Sequence, residues 1–201
     1  METEGELFKF DEFKHLLENY INLKDIESTT EVNLNDHMEK MVALRNANPN
    51  KKFYCGFIDD NFKFDGQGII SLNKGCVMSG SFKNSIEKID DCIIIKDNFI
   101  HFKGTIKNGK IENKGEFKEK NGLEYHGFFK NGFPCGKGSL KTPEESLYMG
   151  YFMNGVPSGK GEYSNSRNST VYHGGWSGGV KHGEGHVMYP DGEQLTGIWD
   201  H

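Results

Sequence analysis

Cysteine and proline are scarce, four and five in 201 residues. Four cysteines exclude a disulfide-stapled scaffold, and Cys55, Cys76, Cys92 and Cys135 form no Cys-x-x-Cys pair of a redox motif or zinc knuckle. Long apolar runs are missing too. Cys92 to Ile95 is among the longest, far below the roughly 18 residues of a membrane helix. The opening Met1-Glu2-Thr3-Glu4-Gly5-Glu6 is acidic where a secretory or transit signal would be basic, which points to a soluble intracellular chain. Glycine is what the sequence has in excess: 26 residues, about twice ordinary usage, without the Gly-X-Y period of collagen.

The glycines are not spread evenly. Residues 1–50 hold only Gly5, and they carry eleven Asp/Glu against five Lys/Arg. The remaining residues hold 19 basic and 18 acidic side chains. With the breaker Asn46-Ala47-Asn48-Pro49-Asn50, this shift predicts an acidic segment over 1–50 and a glycine-rich domain over 51–201.

A period runs through the second part. An aromatic or apolar residue stands two before a glycine at Tyr54/Gly56, Met78/Gly80, Phe102/Gly104, Tyr125/Gly127, Tyr148/Gly150, Tyr172/Gly174 and Leu195/Gly197. The glycine-to-glycine steps are 24, 24, 23, 23, 24 and 23. Two residues beyond each glycine come Ile58, Phe82, Ile106, Phe129, Phe152, Trp176 and Trp199. A second half repeats as well. Asn131-Gly132-Phe133-Pro134-Cys135-Gly136-Lys137-Gly138 is answered by Asn154-Gly155-Val156-Pro157-Ser158-Gly159-Lys160-Gly161 and by Gly178-Gly179-Val180-Lys181-His182-Gly183-Glu184-Gly185.

Each unit reads as a β-hairpin. Tyr148, Gly150 and Phe152 are spaced by two and so share one side of a strand. Asn154-Gly155 is a tight-turn dipeptide, and the chain returns through Gly159-Lys160-Gly161. Glycines on the ring-bearing face let an aromatic side chain lie close over backbone.

The pattern Tyr-x-Gly-x-(Trp/Phe)-x-x-Gly-x-x-x-Gly-x-Gly resembles the MORN repeat. The resemblance covers about six repeats over residues 53–199, with the second and third degenerate: the unit at Met78 has Ile93-Ile94-Ile95 in place of Gly-x-Gly, and the unit at Phe102 keeps only Gly115. It implies a mainly β fold, an elongated single-layer antiparallel sheet with one concave aromatic face. At about 4.8 Å per strand, six two-stranded repeats would span roughly 60 Å. It also implies an adaptor that binds a helix or peptide of a protein partner, in the cytoplasm and in cytoskeletal or ciliary assemblies. On that reading Tyr125, Phe129, Tyr148, Phe152, Tyr172, Trp176 and Trp199 form the partner-binding face. Gly127, Gly136, Gly138, Gly150, Gly159, Gly161, Gly174, Gly183, Gly185 and Gly197 are the structural glycines. Relatives linked to phosphoinositides, and arrays that precede methyltransferase and lipid-kinase domains, supply alternatives. The balanced charge, with no run of four to eight Lys/Arg, speaks against anionic lipid. The last unit stops after Trp199, and an unpaired edge strand there would invite a homodimer.

In the first fifty residues, Phe10, Phe13, Leu17, Tyr20 and Ile21 make a helical stripe within about 9–27. Asp36-His37-Met38-Glu39 reads as a capping box for a second helix over about 36–47. The pair would either cap the repeat array or bind a partner.

Several motifs imitate chemistry. Gly155-Val156-Pro157-Ser158-Gly159-Lys160 is one residue short of a phosphate-binding loop, and the same string occurs one repeat earlier. His182 and His186 have zinc-like spacing for a helix, but on a strand they lie about 13 Å apart. His126 and His173 fall on the side away from the rings and read as surface residues. Asn168-Ser169-Thr170 matches a glycosylation sequon without a secretory context. No serine, cysteine or carboxylate pair has the neighbours of an activated nucleophile. The expectation is a protein without enzyme activity, cofactor, metal or nucleic-acid partner.

Overall fold

The computed structural model describes residues 31–33, 41–44 and 54–200, apart from 62, 74, 75 and 86. All regular structure among them is β-strand. The chain divides into two compact units between Asn113 and Lys114, within a strand that spans Lys110–Lys118.

In the first unit the strands are β1 (Glu31–Asn33), β2 (Met41–Leu44), β3 (Tyr54–Ile58), β4 (Phe64–Asn73), β5 (Cys76–Lys83), β6 (Lys88–Lys96) and β7 (Phe99–Lys107), followed by the start of β8 (Lys110–Lys118). From β1 to β7 they lie side by side in chain order, each antiparallel to the next. Met41–Leu44 corrects part of the helix expected over 36–47. These residues pair with β3, Met41 opposite Phe57 and Leu44 opposite Tyr54. Met-Val-Ala-Leu is a short apolar run, whose periodicity cannot separate strand from helix, and pairing satisfies the edge groups of β3. The helix expected over 9–27 and the boundary at 46–50 lie outside the described residues.

The second unit continues with β9 (Glu124–Lys130), β10 (Phe133–Lys141), β11 (Leu147–Met153), β12 (Val156–Ser164), β13 (Val171–Ser177), β14 (Val180–Met188) and β15 (Gln194–Trp199). These strands also follow chain order and are antiparallel throughout. The hairpin turns are built as the sequence predicts. Asn131 and Gly132 have φ of 53° and 88°, and Asn154 and Gly155 have 50° and 91°, so both central residues are left-handed. That is the type I′ geometry whose twist matches the flanking strands. Successive turns are tied by one backbone bond each: Gly155 N–H donates to Pro134 O and Gly179 N–H to Pro157 O, both at 3.0 Å.

A one-layer sheet has no second layer to cover it, yet it has a core. Along β9 the buried Tyr125, Gly127 and Phe129 alternate with more open residues, so the buried side chains share one face. In the second unit that buried face is aromatic. In the first, where tyrosine gives way to Met78 and Phe102, it is filled by Ile89, Cys92, Ile94 and Ile106.

Candidate functional site

The building block is a tyrosine folded over two glycines. Tyr125 opens β9, and its ring lies across Gly127 of its own strand and Gly138 of the next. A Cβ placed on Gly138 would stand 2.6 Å from the Tyr125 hydroxyl oxygen, so no side chain fits under the ring. Tyr148 covers Gly150 and Gly161, and Tyr172 covers Gly174 and Gly185, in the same way. The glycines form one cross-strand row, with Gly138 opposite Gly127 and Gly150, Gly161 opposite Gly150 and Gly174, and Gly185 opposite Gly174 and Gly197.

Lying flat brings each hydroxyl to the carbonyl three residues on. Tyr125 Oη donates to Phe128 O at 3.0 Å, Tyr148 Oη to Tyr151 O at 2.9 Å, and Tyr172 Oη to Gly175 O at 3.0 Å. Tyr54 does the same to Phe57 O at 2.8 Å in the first unit. Buried tyrosine ordinarily needs such a partner for its O–H. Burial pushes the hydroxyls of Tyr54, Tyr125 and Tyr148 far above the ordinary phenol range, and that of Tyr172 upward.

The two halves of the Gly-x-Gly motif therefore differ in role. Gly138, Gly161 and Gly185 are floor beneath a ring. Gly136, Gly159 and Gly183 have φ of 65°, 89° and 73°, conformations that L side chains rarely adopt. Gly127, Gly150 and Gly174 belong to the floor, whereas Gly197 has only Trp199 near it, at 3.9 Å.

The second aromatic of each unit closes the block. Phe152 packs edge-on against Tyr148 of its own strand and against Tyr125 of the preceding unit, both at 5.1 Å between centroids. Trp176 meets Tyr172 at 5.5 Å and Tyr148 at 5.0 Å, and Trp199 meets Tyr172 at 5.0 Å. With Phe129 against Tyr125 at 5.0 Å, the seven aromatics expected to bind a partner join in one unbroken edge-to-face file. They are brought together as expected, but as core. Six of the seven are buried and Trp199 is half-buried. The expectation that the rings themselves present a binding surface is corrected: each tyrosine is covered by the aromatic of the next unit, which a repeat lacking a second layer requires.

The surface that stays open lies on the opposite face. Strand alternation turns Phe128, Met149, Tyr151 and Met153 away from the rings, with exposures of 50%, 44%, 44% and 61%. None of the four was singled out from the sequence. The signal lay one residue past each repeat glycine, where Phe128 and Tyr151 are aromatic while the same place holds Ser81, Thr105 and Gly175 in other units.

His126 and His173 are on this open face too, as expected. His126 lies 3.6 Å from Glu124 and 3.8 Å from Glu116. His173 lies 3.3 Å from Glu162 and stacks on its cross-strand neighbour His186 at 4.9 Å. Among the described residues no three His, Cys, Asp or Glu side chains are placed to hold a metal. All four cysteines are free thiols; burial pushes Cys76 up to about 11 and Cys92 to about 12. The phosphate-loop look-alike is a hairpin turn leading into β12, repeated at β10.

The period, the glycine floor and the opening tyrosines coincide with a known family. The model of the MORN repeat matches residues 125–144, 148–169 and 172–194, beginning at Tyr125, Tyr148 and Tyr172. The chain carries three MORN repeats. Each MORN unit begins at the tyrosine that covers two glycines. The units opening at Tyr54, Met78 and Phe102 keep the hairpin and the period outside the matched residues. No curated protein matches the chain. Among solved structures it is similar to the TCP domain of SAS-4 (dCPAP) of Drosophila melanogaster, determined in complex with a proline-rich motif of Ana2 (dSTIL). That similarity has a TM-score of 0.44 at 9% identity and covers 86% of this chain and 94% of that one.

Proposed function

We propose that this protein is a non-catalytic interaction scaffold that holds a helix or peptide of a protein partner on a face of its sheet, in the cytoplasm and within a cytoskeletal or ciliary assembly. The observation that carries the reading is the closed aromatic file in the three MORN repeats. It consumes the rings in holding successive hairpins together, and so yields a stiff surface whose outward positions are free to vary. Preorganised surfaces of this kind bind peptides without an ordering cost of their own.

The test is cross-linking of the tagged protein in extract of its own cells, followed by identification of linked peptides. Links concentrated on a few proteins, and on strands β9 to β13, are expected. Recovery of the protein alone, or flotation with anionic vesicles in place of protein capture, would replace this reading with the membrane-associated alternative.

A further inference from the structure

We infer that the outer face of β9 to β12 docks an acidic peptide segment that carries apolar anchors. The inference rests on the scaffold reading and names its surface and the chemistry of its partner.

The apolar side chains there are not required by the fold. The position three residues after each unit opening faces away from the rings, and the seven units fill it with Phe57, Ser81, Thr105, Phe128, Tyr151, Gly175 and Ile198. Serine, threonine and glycine serve the hairpin equally well. Phe128 and Tyr151 nevertheless stand exposed two strands apart, and Met149 and Met153 extend the patch along β11 on either side of Tyr151. Contiguous exposed apolar side chains on a sheet face cost solubility and mark contact sites.

Charge selects the partner. Lys130, Lys137 and Lys160 are exposed on the same face, Lys137 and Lys160 on the strands flanking Tyr151. Lys137 lies over the Tyr151 ring, with its Nζ 5.5 Å from the centroid. Lys130 and Lys160 have no ion-pair partner among the described residues. Of the carboxylates on this face, Glu124 pairs with Lys118, and Glu162, opposite Met149, lies against His173. Between the turns and Lys160 the face carries lysines and no acid, so its field favours a negatively charged segment. Met149 and Met153 beside the two rings offer adaptable apolar volume, which suits the apolar side chains of a peptide.

The experiment pans a random 16-residue phage-displayed peptide library against the full chain, and reads the recovered peptides by fluorescence anisotropy. The expected peptides combine Asp/Glu with Leu, Ile or Phe. Their affinity falls ten-fold or more in Phe128→Ser/Tyr151→Ser and in Lys137→Glu/Lys160→Glu, with the unfolding midpoints of both variants unchanged. Swapping the peptide's Glu for Lys restores binding to the charge-reversed variant. Peptides without an acidic bias, peptides that bind Phe128→Ser/Tyr151→Ser undiminished, or equal binding of an oligouridine probe would each overturn the inference. Partner cross-links in cell extract that survive in that double variant would also remove this surface while leaving the scaffold reading intact.

Discussion

At the scale of the residue, one glycine motif does two unrelated things. Gly161 is achiral backbone under a ring: an added Cβ would stand 2.5 Å from Tyr148 Cε2, and that ring is held by Phe152 and Trp176. Gly136 has open space around it and a φ of 65°. Gly161→Ala is therefore expected to lower stability by about 2–3 kcal/mol through overpacking, and Gly136→Ala by about 1 kcal/mol through backbone strain. Urea unfolding of the two variants gives the ranking, and a reversed order would remove the distinction between floor glycines and left-handed ones. Tyr148→Phe isolates the hydroxyl. It leaves Tyr151 O without its donor and should cost about 1–2 kcal/mol, with the ring packing retained. Glycine roles were partly legible in the sequence, because a residue spaced by two from an aromatic must share its face. The closure of the rings was not. Phe152 reaches Tyr125 across a hairpin, and spacing alone does not tell a row of rings open to solvent from a row that seals itself.

At the scale of the element, β15 departs from the strands before it. Leu195 occupies the place that tyrosine holds in the MORN units, and only Trp199 comes near Gly197, at 3.9 Å. Leu195 and Ile198 are exposed, and the strand pairs only with β14 among the described residues. A strand with exposed apolar side chains favours association along its edge. Self-association through this edge would appear as a dimer mass in light scattering at micromolar concentration, lost in Ile198→Lys. A monomer at all concentrations would show that the edge is silent in solution. The strands of the repeats were legible one by one, since turn dipeptides and period fix them. Met41–Leu44 was not, because its four apolar residues fit either period and only pairing with β3 decides between them.

At the scale of the whole molecule, many buried acids share one direction of response to pH. The thiols of Cys76 and Cys92, and the hydroxyls of Tyr54, Tyr125, Tyr148 and Tyr172, are all raised by burial. Each is neutral and fully compatible with the fold below its unfolded value. Above that value the unfolded chain ionises first, so stability falls as pH rises, by about 1.4 kcal/mol per group and pH unit. The urea midpoint should hold between pH 7 and 8 and decline from about 9, where unfolded thiols titrate, more steeply above about 10, where phenols join. Cys76→Ala/Cys92→Ala should move the onset upward by about one pH unit. A midpoint independent of pH up to 11 would mean that these groups reach solvent in the folded chain.

The edge-to-face file has a spectroscopic consequence. The chain has two tryptophans, and both sit in the file, Trp176 among Tyr148, Tyr163 and Tyr172 and Trp199 against Tyr172. Light absorbed by these tyrosines will pass to an indole five or six ångströms away and be emitted there. Tyrosine-excited emission at the indole wavelength is thus a native gauge of contact between neighbouring hairpins. Separation of the last strand would silence Trp199 while Trp176 still glows, so unzipping from that end can be followed without adding a dye.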